Sequence, residues 1–195
     1  MNLFIIGTSG CGKSTQADKI AKKYNLVHYS IGQILRDEIA AKSPIGLEAQ
    51  SYVLEGKWVP NELIFRIITE KLQTINNNNF IIDGFPRQVD QMKEMDKYLA
   101  NHQTKADYVI HLDITTQEIV DRRNAVAAKG GVFQQARPDE NPEAIAARQK
   151  SYDESINLIF DYLNTDTSRL IRVDANRPIE PIFQDICLLL DKLLI

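Results

Sequence analysis

Gly7-Thr8-Ser9-Gly10-Cys11-Gly12-Lys13-Ser14 carries the most definite chemistry in the chain. Its spacing is G-x-x-x-x-G-K-S, it follows the apolar run Leu3–Ile6, and it opens a stretch of helical pattern. Glycines at these positions let the backbone turn so that successive N–H groups converge on phosphate oxygens. The helix that follows adds a partial positive charge at its N-terminus. Lys13 is placed to act as a point charge on the β- and γ-phosphates of a nucleotide. The hydroxyl of Ser14 or Thr15 is the kind of hard oxygen a magnesium ion's shell accepts. A glycine-rich turn with an exposed lysine is the plainer alternative, but the strand before and the helix after favour a phosphate cradle. Cys11 reads as a small residue filling the loop, because nothing in this chemistry requires a thiol nucleophile.

A second group of residues suits the other side of such a reaction. In Phe80-Ile81-Ile82-Asp83-Gly84-Phe85-Pro86-Arg87, Asp83 ends an apolar run. A carboxylate at the carboxyl end of a strand near the glycine loop lies where open α/β sheets bind ligands. There it can organise the waters of a magnesium ion. A turn aspartate ending a strand is the alternative. Arg87 follows a sharp turn and is suited to bidentate grip of phosphate, which lysine cannot supply. Arg36 lies one residue off the apolar stripe of its helix, and Arg122, Arg123, Arg137 and Arg148 lie in or near the last long insertion. Phosphoryl transfer asks a catalyst to position groups, neutralise charge and exclude water, and arginines are the tool for it.

These residues must be held by a scaffold. Short apolar runs at Leu3–Ile6, Val27–Tyr29, Phe80–Ile82, Tyr108–Leu112 and Leu170–Val173 alternate with longer helical patterns. The runs are short and non-alternating, as strands buried on both faces are. This alternation predicts an α/β fold with helices on both faces of a five-stranded parallel sheet. Ser30 with Gln33, and Thr115 with Glu118, have capping-box spacing. Asn141-Pro142-Glu143 reads as a helix start. Two helical patterns, about 31–42 and 44–55, precede the next strand and predict a small lobe rising from the sheet. The stretch Ile186–Ile195 predicts a final helix on the sheet.

The chain has 195 residues, 44% hydrophobic and 25% charged, which suits one globular domain with an inserted lobe and excludes disordered and disulfide-stapled classes. Net charge is −3 with no basic stripe, against a nucleic-acid partner. No apolar run approaches membrane-span length, and no basic start or cleavage pattern marks a signal peptide. Cys11 and Cys187 lie far apart and read as free thiols of a reducing compartment. A cytoplasmic monomer is the expectation.

Taken with the glycine loop, three sets of segments resemble the adenylate kinase family of nucleoside monophosphate kinases over nearly the whole chain. They are His28-Tyr29-Ser30-Ile31-Gly32-Gln33-Ile34-Leu35-Arg36, the Asp83-Gly84-Phe85-Pro86-Arg87 run with Gln91, and Gly56-Lys57-Trp58-Val59. Arg137-Pro138-Asp139-Glu140-Asn141 with Arg148, and Val173-Asp174-Ala175-Asn176-Arg177-Pro178, extend the likeness. The resemblance implies a P-loop NTPase-like three-layer fold with a core of 1–29, 60–121 and 149–195. It also implies a helical NMP-binding lobe over 30–59 and a short lid over about 122–138. It implies ATP and AMP as substrates, with magnesium. The ATP site would comprise Gly7, Ser9, Gly10, Cys11, Gly12, Lys13, Ser14, Thr15, Arg122, Arg137 and Asn176. The AMP site would comprise Ser30, Ile31, Arg36, Lys57, Val59, Gly84, Arg87, Gln91 and Arg148. Lys13, Arg87, Arg122, Arg137 and Arg148 would carry catalysis, with Ser14 and Asp83 serving magnesium through waters. The short lid would carry no cysteine for a structural zinc, and Gly130-Gly131 reads either as a flexible point of a mobile loop or as an ordinary surface turn.

The chain departs from the family pattern at several places. Ser9 and Ser14 stand where proline or alanine and glycine are usual. Ile31 replaces a common threonine and removes a hydrogen bond to the acceptor base. Val126 replaces a usual arginine, and Arg123 points about 100° away around the helix. Ile31 keeps UMP, CMP or GMP open as acceptor. The Gly-Thr-Ser-Gly-Cys-Gly-Lys-Ser-Thr loop keeps open a small-metabolite kinase of the gluconate or shikimate type. Val126 keeps open a nucleotide-binding regulatory module without catalysis.

Overall fold

The computed structural model describes residues 1–128, 142–164 and 169–193. Five strands, β1 (Asn2–Ile6), β2 (Val27–Ser30), β3 (Phe80–Asp83), β4 (Tyr108–Asp113) and β5 (Leu170–Asp174), form one sheet in the order β2-β3-β1-β4-β5. Every pairing is parallel. The central strand shows why. All five residues of β1 are buried, with Leu3 and Ile5 in one core and Phe4 and Ile6 in the other. A strand with two apolar faces must be covered twice. On the first face lie α1 (Lys13–Tyr24) and α8 (Ile179–Leu193), which contribute Ile20, Ile182, Ile186 and Leu190. On the second lie α4 (Asn61–Gln73), α5 (Val89–Asn101) and α7 (Pro142–Asn164), which contribute Ile68, Met92, Met95, Ile159 and Leu163. This is the α/β, P-loop NTPase-like three-layer architecture. The final helix sits on the sheet as the sequence implied.

Burial on both faces holds for β1, β3 and most of β4, and fails at the edges. Val27 opens β2 at 40% exposure, and β5 alternates buried Ile171 and Val173 with exposed Arg172 and Asp174. Edge strands here are incompletely covered, so their runs need not be apolar throughout.

The cap expectations are partly corrected. Ser30 precedes α2 (Ile31–Ala40) without capping it; its hydroxyl donates to Asp83 Oδ2 at 3.1 Å instead. Gln33 turns to Asp37 and Arg36. An ionised carboxylate is the stronger acceptor, so the hydroxyl is drawn to the sheet rather than to the helix end. At α6 (Thr116–Ala128) half of the box forms: Thr115 Oγ1 accepts from the Glu118 N–H at 3.2 Å, while the Glu118 carboxylate takes Arg122. Pro142 is the first residue of α7, and Asn141 lies outside the described residues.

The paired helices α2 and α3 (Pro44–Leu54) meet backbone to backbone. Ser43 caps α3 by accepting from the Gly46 N–H at 2.9 Å. A Cβ at Gly46 would lie 2.0 Å from the Glu38 carbonyl oxygen, which only a backbone shift can relieve. Gly46→Ala is therefore expected to cost about 2–3 kcal/mol. It should lower Tm by about 5–10 °C in a thermal melt.

Candidate functional site

Register brings the site together. Ser30 and Ile5 both stand opposite Asp83, and Ile6 stands opposite His111, so the ends of β1, β2, β3 and β4 converge on the loop Gly7–Gly12. Open α/β sheets bind ligands at such carboxyl ends. A Cβ at Gly7 would lie 2.7 Å from Cys11 Sγ and 3.0 Å from the Leu112 carbonyl oxygen, so the loop closes only around glycine. Gly12 takes a left-handed φ of 97° directly before α1, whose first turn holds no acidic residue and no capping side chain among the described residues. Its N–H groups are thus not given to a protein carboxylate and can serve an anion. Lys13 Nζ donates to the carbonyls of Gly7 at 2.9 Å and Thr8 at 2.8 Å, which holds the ammonium inside the cradle. Ser9 and Gly10 lie within the loop, and Thr15 is exposed on the first turn of α1. Cys11 and Cys187 are free thiols, both buried.

Asp83 links this cradle to the rest of the site. It is 4% exposed. Its Oδ2 accepts from the hydroxyls of both Ser14 and Ser30. Its Oδ1 is buried with no hydrogen-bond partner. A buried anionic oxygen left unpartnered beside a serine hydroxyl suits the water shell of a hard cation. The donor set fits magnesium. Among the described residues, no three His, Cys, Asp or Glu side chains gather as a direct metal-ligand cluster.

Of the residues expected on the acceptor side, Ser30 and Arg36 lie at a cleft of about 380 Å³. Ser14, Ser30, Gln33 and Arg36 line the cleft. Arg36 is steadied by Gln33 Oε1 at 2.9 Å. Gly84 adopts φ 82° in the turn after β3. Arg87 donates from Nε to the Gly84 carbonyl at 2.9 Å, and its backbone N–H donates to Gln91 Oε1 at 2.7 Å. Gln91 is 4% exposed and Val59 is 7% exposed. Ile31 is packed in the core at 3%. Lys57 is exposed and bridges Glu55 at 2.6 Å, a hydrogen bond that raises its ammonium above the usual lysine value.

Among the described outer arginines, Arg122 reaches the glycine loop. Its guanidinium spans Glu118 Oε1, the carbonyl of Cys11 in the loop at 3.5 Å, and the carbonyls of Ala175 and Arg177 after β5. Asn176 accepts from the Thr115 N–H at 2.9 Å and so ties the β5–α8 turn to the start of α6. Arg148 lies in α7 and donates to the Val53 carbonyl of α3 at 3.3 Å, joining α7 to the helical lobe. Arg137 and Gly130-Gly131 lie outside the described residues, as do the side chains of Arg123 and Val126.

Two polar ties from α7, one to the glycine loop and one to β4, were not legible in the sequence. Thr8 of the loop donates to Gln149 Oε1, and His111 Nε2 meets the Tyr152 hydroxyl at 2.7 Å. Both join residues far apart in the chain, which no local period encodes. Burial holds His111 down at about 4, with Arg172 and Lys13 adding to the effect against Asp113. Burial likewise pushes the Tyr152 hydroxyl up. The unfolded chain would bind a proton at His111 near pH 6.5, whereas the native state resists it until near pH 4. Stability therefore falls as pH drops through that window, by about 2 kcal/mol between pH 7 and pH 5 from this residue. His111→Gln should remove that share of the slope, as read from urea midpoints at the two pH values.

Comparison with known proteins agrees with this geometry. The family model described as adenylate kinase matches residues 5–168. The chain is 33% identical to the adenylate kinase of Nitrobacter hamburgensis over 98% of its own length and 93% of the relative's. It is 34% identical to that of Azorhizobium caulinodans, covering 95% and 96% of the two chains. The figure is 31% for that of Pyrococcus abyssi, covering 98% and 96%. With the glycine loop, the Asp83 turn and a five-stranded parallel sheet all in place, the chain belongs to the adenylate kinase family of nucleoside monophosphate kinases.

Proposed function

We propose that the chain catalyses the reversible, magnesium-dependent transfer of the γ-phosphoryl group of ATP to AMP, giving two ADP. The observation that supports it most is the pair of hydrogen bonds from Ser14 and Ser30 to Asp83. They join the phosphate loop to the strand end that carries Gly84, Arg87 and Gln91, so donor and acceptor sites share one carboxylate.

In this reading Lys13 exchanges the carbonyls of Gly7 and Thr8 for phosphate oxygens of ATP, alongside the N–H groups of the loop and α1. Arg36 and Arg87 grip the acceptor's phosphate, and Gln91 reads the adenine edge. The acceptor phosphate oxygen attacks the γ-phosphorus in line, the bond from that phosphorus to the bridging oxygen breaks, and ADP leaves. The attacking oxygen is already ionised, so no general base is needed. Arg122, Arg137 and Arg148 offset charge on the moving group. Asp83 and Ser14 would hold magnesium through waters, and the ion would supply further charge neutralisation. Residues 30–59 act as the acceptor lobe and about 122–138 as a short lid, on a core of 1–29, 60–121 and 149–195. We assign a cytoplasmic monomer; the free thiols suit a reducing compartment. Among the described residues, no helix is long and apolar enough to cross a membrane.

Another nucleoside monophosphate is the second reading. Ile31 favours it, because a core-packed alkyl side chain offers an acceptor base no hydrogen bond. Phosphorus NMR with Mg·ATP and AMP, UMP, CMP, GMP, gluconate or shikimate in separate tubes decides between them. ADP should accumulate with AMP alone. Faster turnover of another monophosphate would remove Gln91 from base reading, and transfer to gluconate or shikimate would move the acceptor class. Bound ATP with no transfer to any of them would leave a regulatory module.

A further inference from the structure

We propose that Trp58 and Asn61, three positions apart where the chain enters α4, are positioning residues for the acceptor nucleotide: Trp58 sets the plane of the Arg87 guanidinium and Asn61 sets the amide of Gln91. The inference rests on the acceptor roles given above to Arg87 and Gln91. Trp58 stands between α3 and α4, and Asn61 opens α4. The Arg87 guanidinium carbon lies 4.7 Å from the Trp58 ring centroid, over the ring. Its Nε–H is held in the plane by the Gly84 carbonyl at 2.9 Å. One restraint acts along the plane and the other on its face. Together they fix a planar fork whose bidentate use on phosphate depends on orientation.

Gln91 is restrained in the same way at both ends of its amide. Oε1 accepts from the Arg87 backbone N–H at 2.7 Å, and Nε2 donates to Asn61 Oδ1 at 2.9 Å. A backbone N–H can only donate, so it decides which end of the amide is oxygen. Asn61 then keeps the nitrogen end from swinging away. One lone pair and one N–H remain in a fixed order. A 6-aminopurine edge offers a donor beside an acceptor, and a 6-oxopurine edge offers them reversed. An amide that cannot turn over therefore separates the two. The same connection thus aligns the phosphate fork and the base reader, although neither Trp58 nor Asn61 need touch the reacting atoms.

Steady-state kinetics and calorimetric binding on the full chain test this. Trp58→Leu should raise KM and Kd for AMP about tenfold. Its KM for ATP should stay unchanged, and Trp58→Phe should restore AMP affinity. Asn61→Ala should lower the preference for AMP over GMP about fivefold. Asn61→Asp, which keeps the acceptor oxygen, should restore it. Unchanged AMP constants in Trp58→Leu, with unchanged base preference in Asn61→Ala, would overturn the inference while leaving the reaction intact. AMP and ATP constants rising together with a lower Tm would also overturn it, as the mark of packing alone. An unaltered chain that fails to phosphorylate AMP would end the proposed reaction, and this inference with it.

Discussion

Arg87→Ala is expected to lower turnover about a thousandfold, close to 4 kcal/mol of transition-state stabilisation, while ATP affinity stays within about twofold. The size follows from position. Arg87 follows the sharp turn at the end of β3, with its Nε–H on the Gly84 carbonyl and its guanidinium over Trp58. Its alignment thus precedes the arrival of phosphate, and an aligned cation spends little of its interaction on ordering. The ATP cradle lies on a separate strand end, with Lys13 on the carbonyls of Gly7 and Thr8. It should survive the change. Stopped-flow turnover beside ATP titration reads the two effects separately. A small loss of turnover would point to a nucleotide-binding module rather than a kinase.

Asp83→Asn is expected to cut activity about a hundredfold and to raise the magnesium concentration needed for half activity. The amide keeps the shape and an acceptor for Ser14 and Ser30 but gives up the anionic charge. Asp83 has no ion-pair partner among the described residues, and its Oδ1 is an orphan at 4% exposure. A buried charge in that state destabilises the fold. The same variant should therefore melt at the original temperature or above it. Activity falling while Tm holds or rises is the signature of a carboxylate kept for chemistry. A drop in both would make Asp83 a structural residue.

Much of the scaffold was legible because its signals are local. The five apolar runs became the five strands, and Ser43-Pro44 begins α3 where the second lobe helix was expected. The glycine loop could be read because its function depends on backbone turns that only a glycine pattern permits. The misreadings arose where a local signal met a stronger distant partner. Ser30 had capping-box spacing, yet the buried carboxylate of Asp83, its register partner on the neighbouring strand, drew its hydroxyl. Val27 and Arg172 are in apolar runs by sequence and at sheet edges in space. The supporting contacts of the site were hidden for the same reason. Trp58 on Arg87, Asn61 on Gln91, Gln149 on Thr8 and Tyr152 on His111 each join separate elements. A single sequence carries no period that pairs them.

The most direct test of the account runs the reaction from its other side. Purified protein is given ADP and magnesium alone, and nucleotides are followed by phosphorus NMR. The account predicts ATP and AMP appearing in equal amounts with no inorganic phosphate, and ADP left unconverted once magnesium is chelated. ADP that persists unchanged with magnesium present, or that yields phosphate in place of ATP, would contradict it.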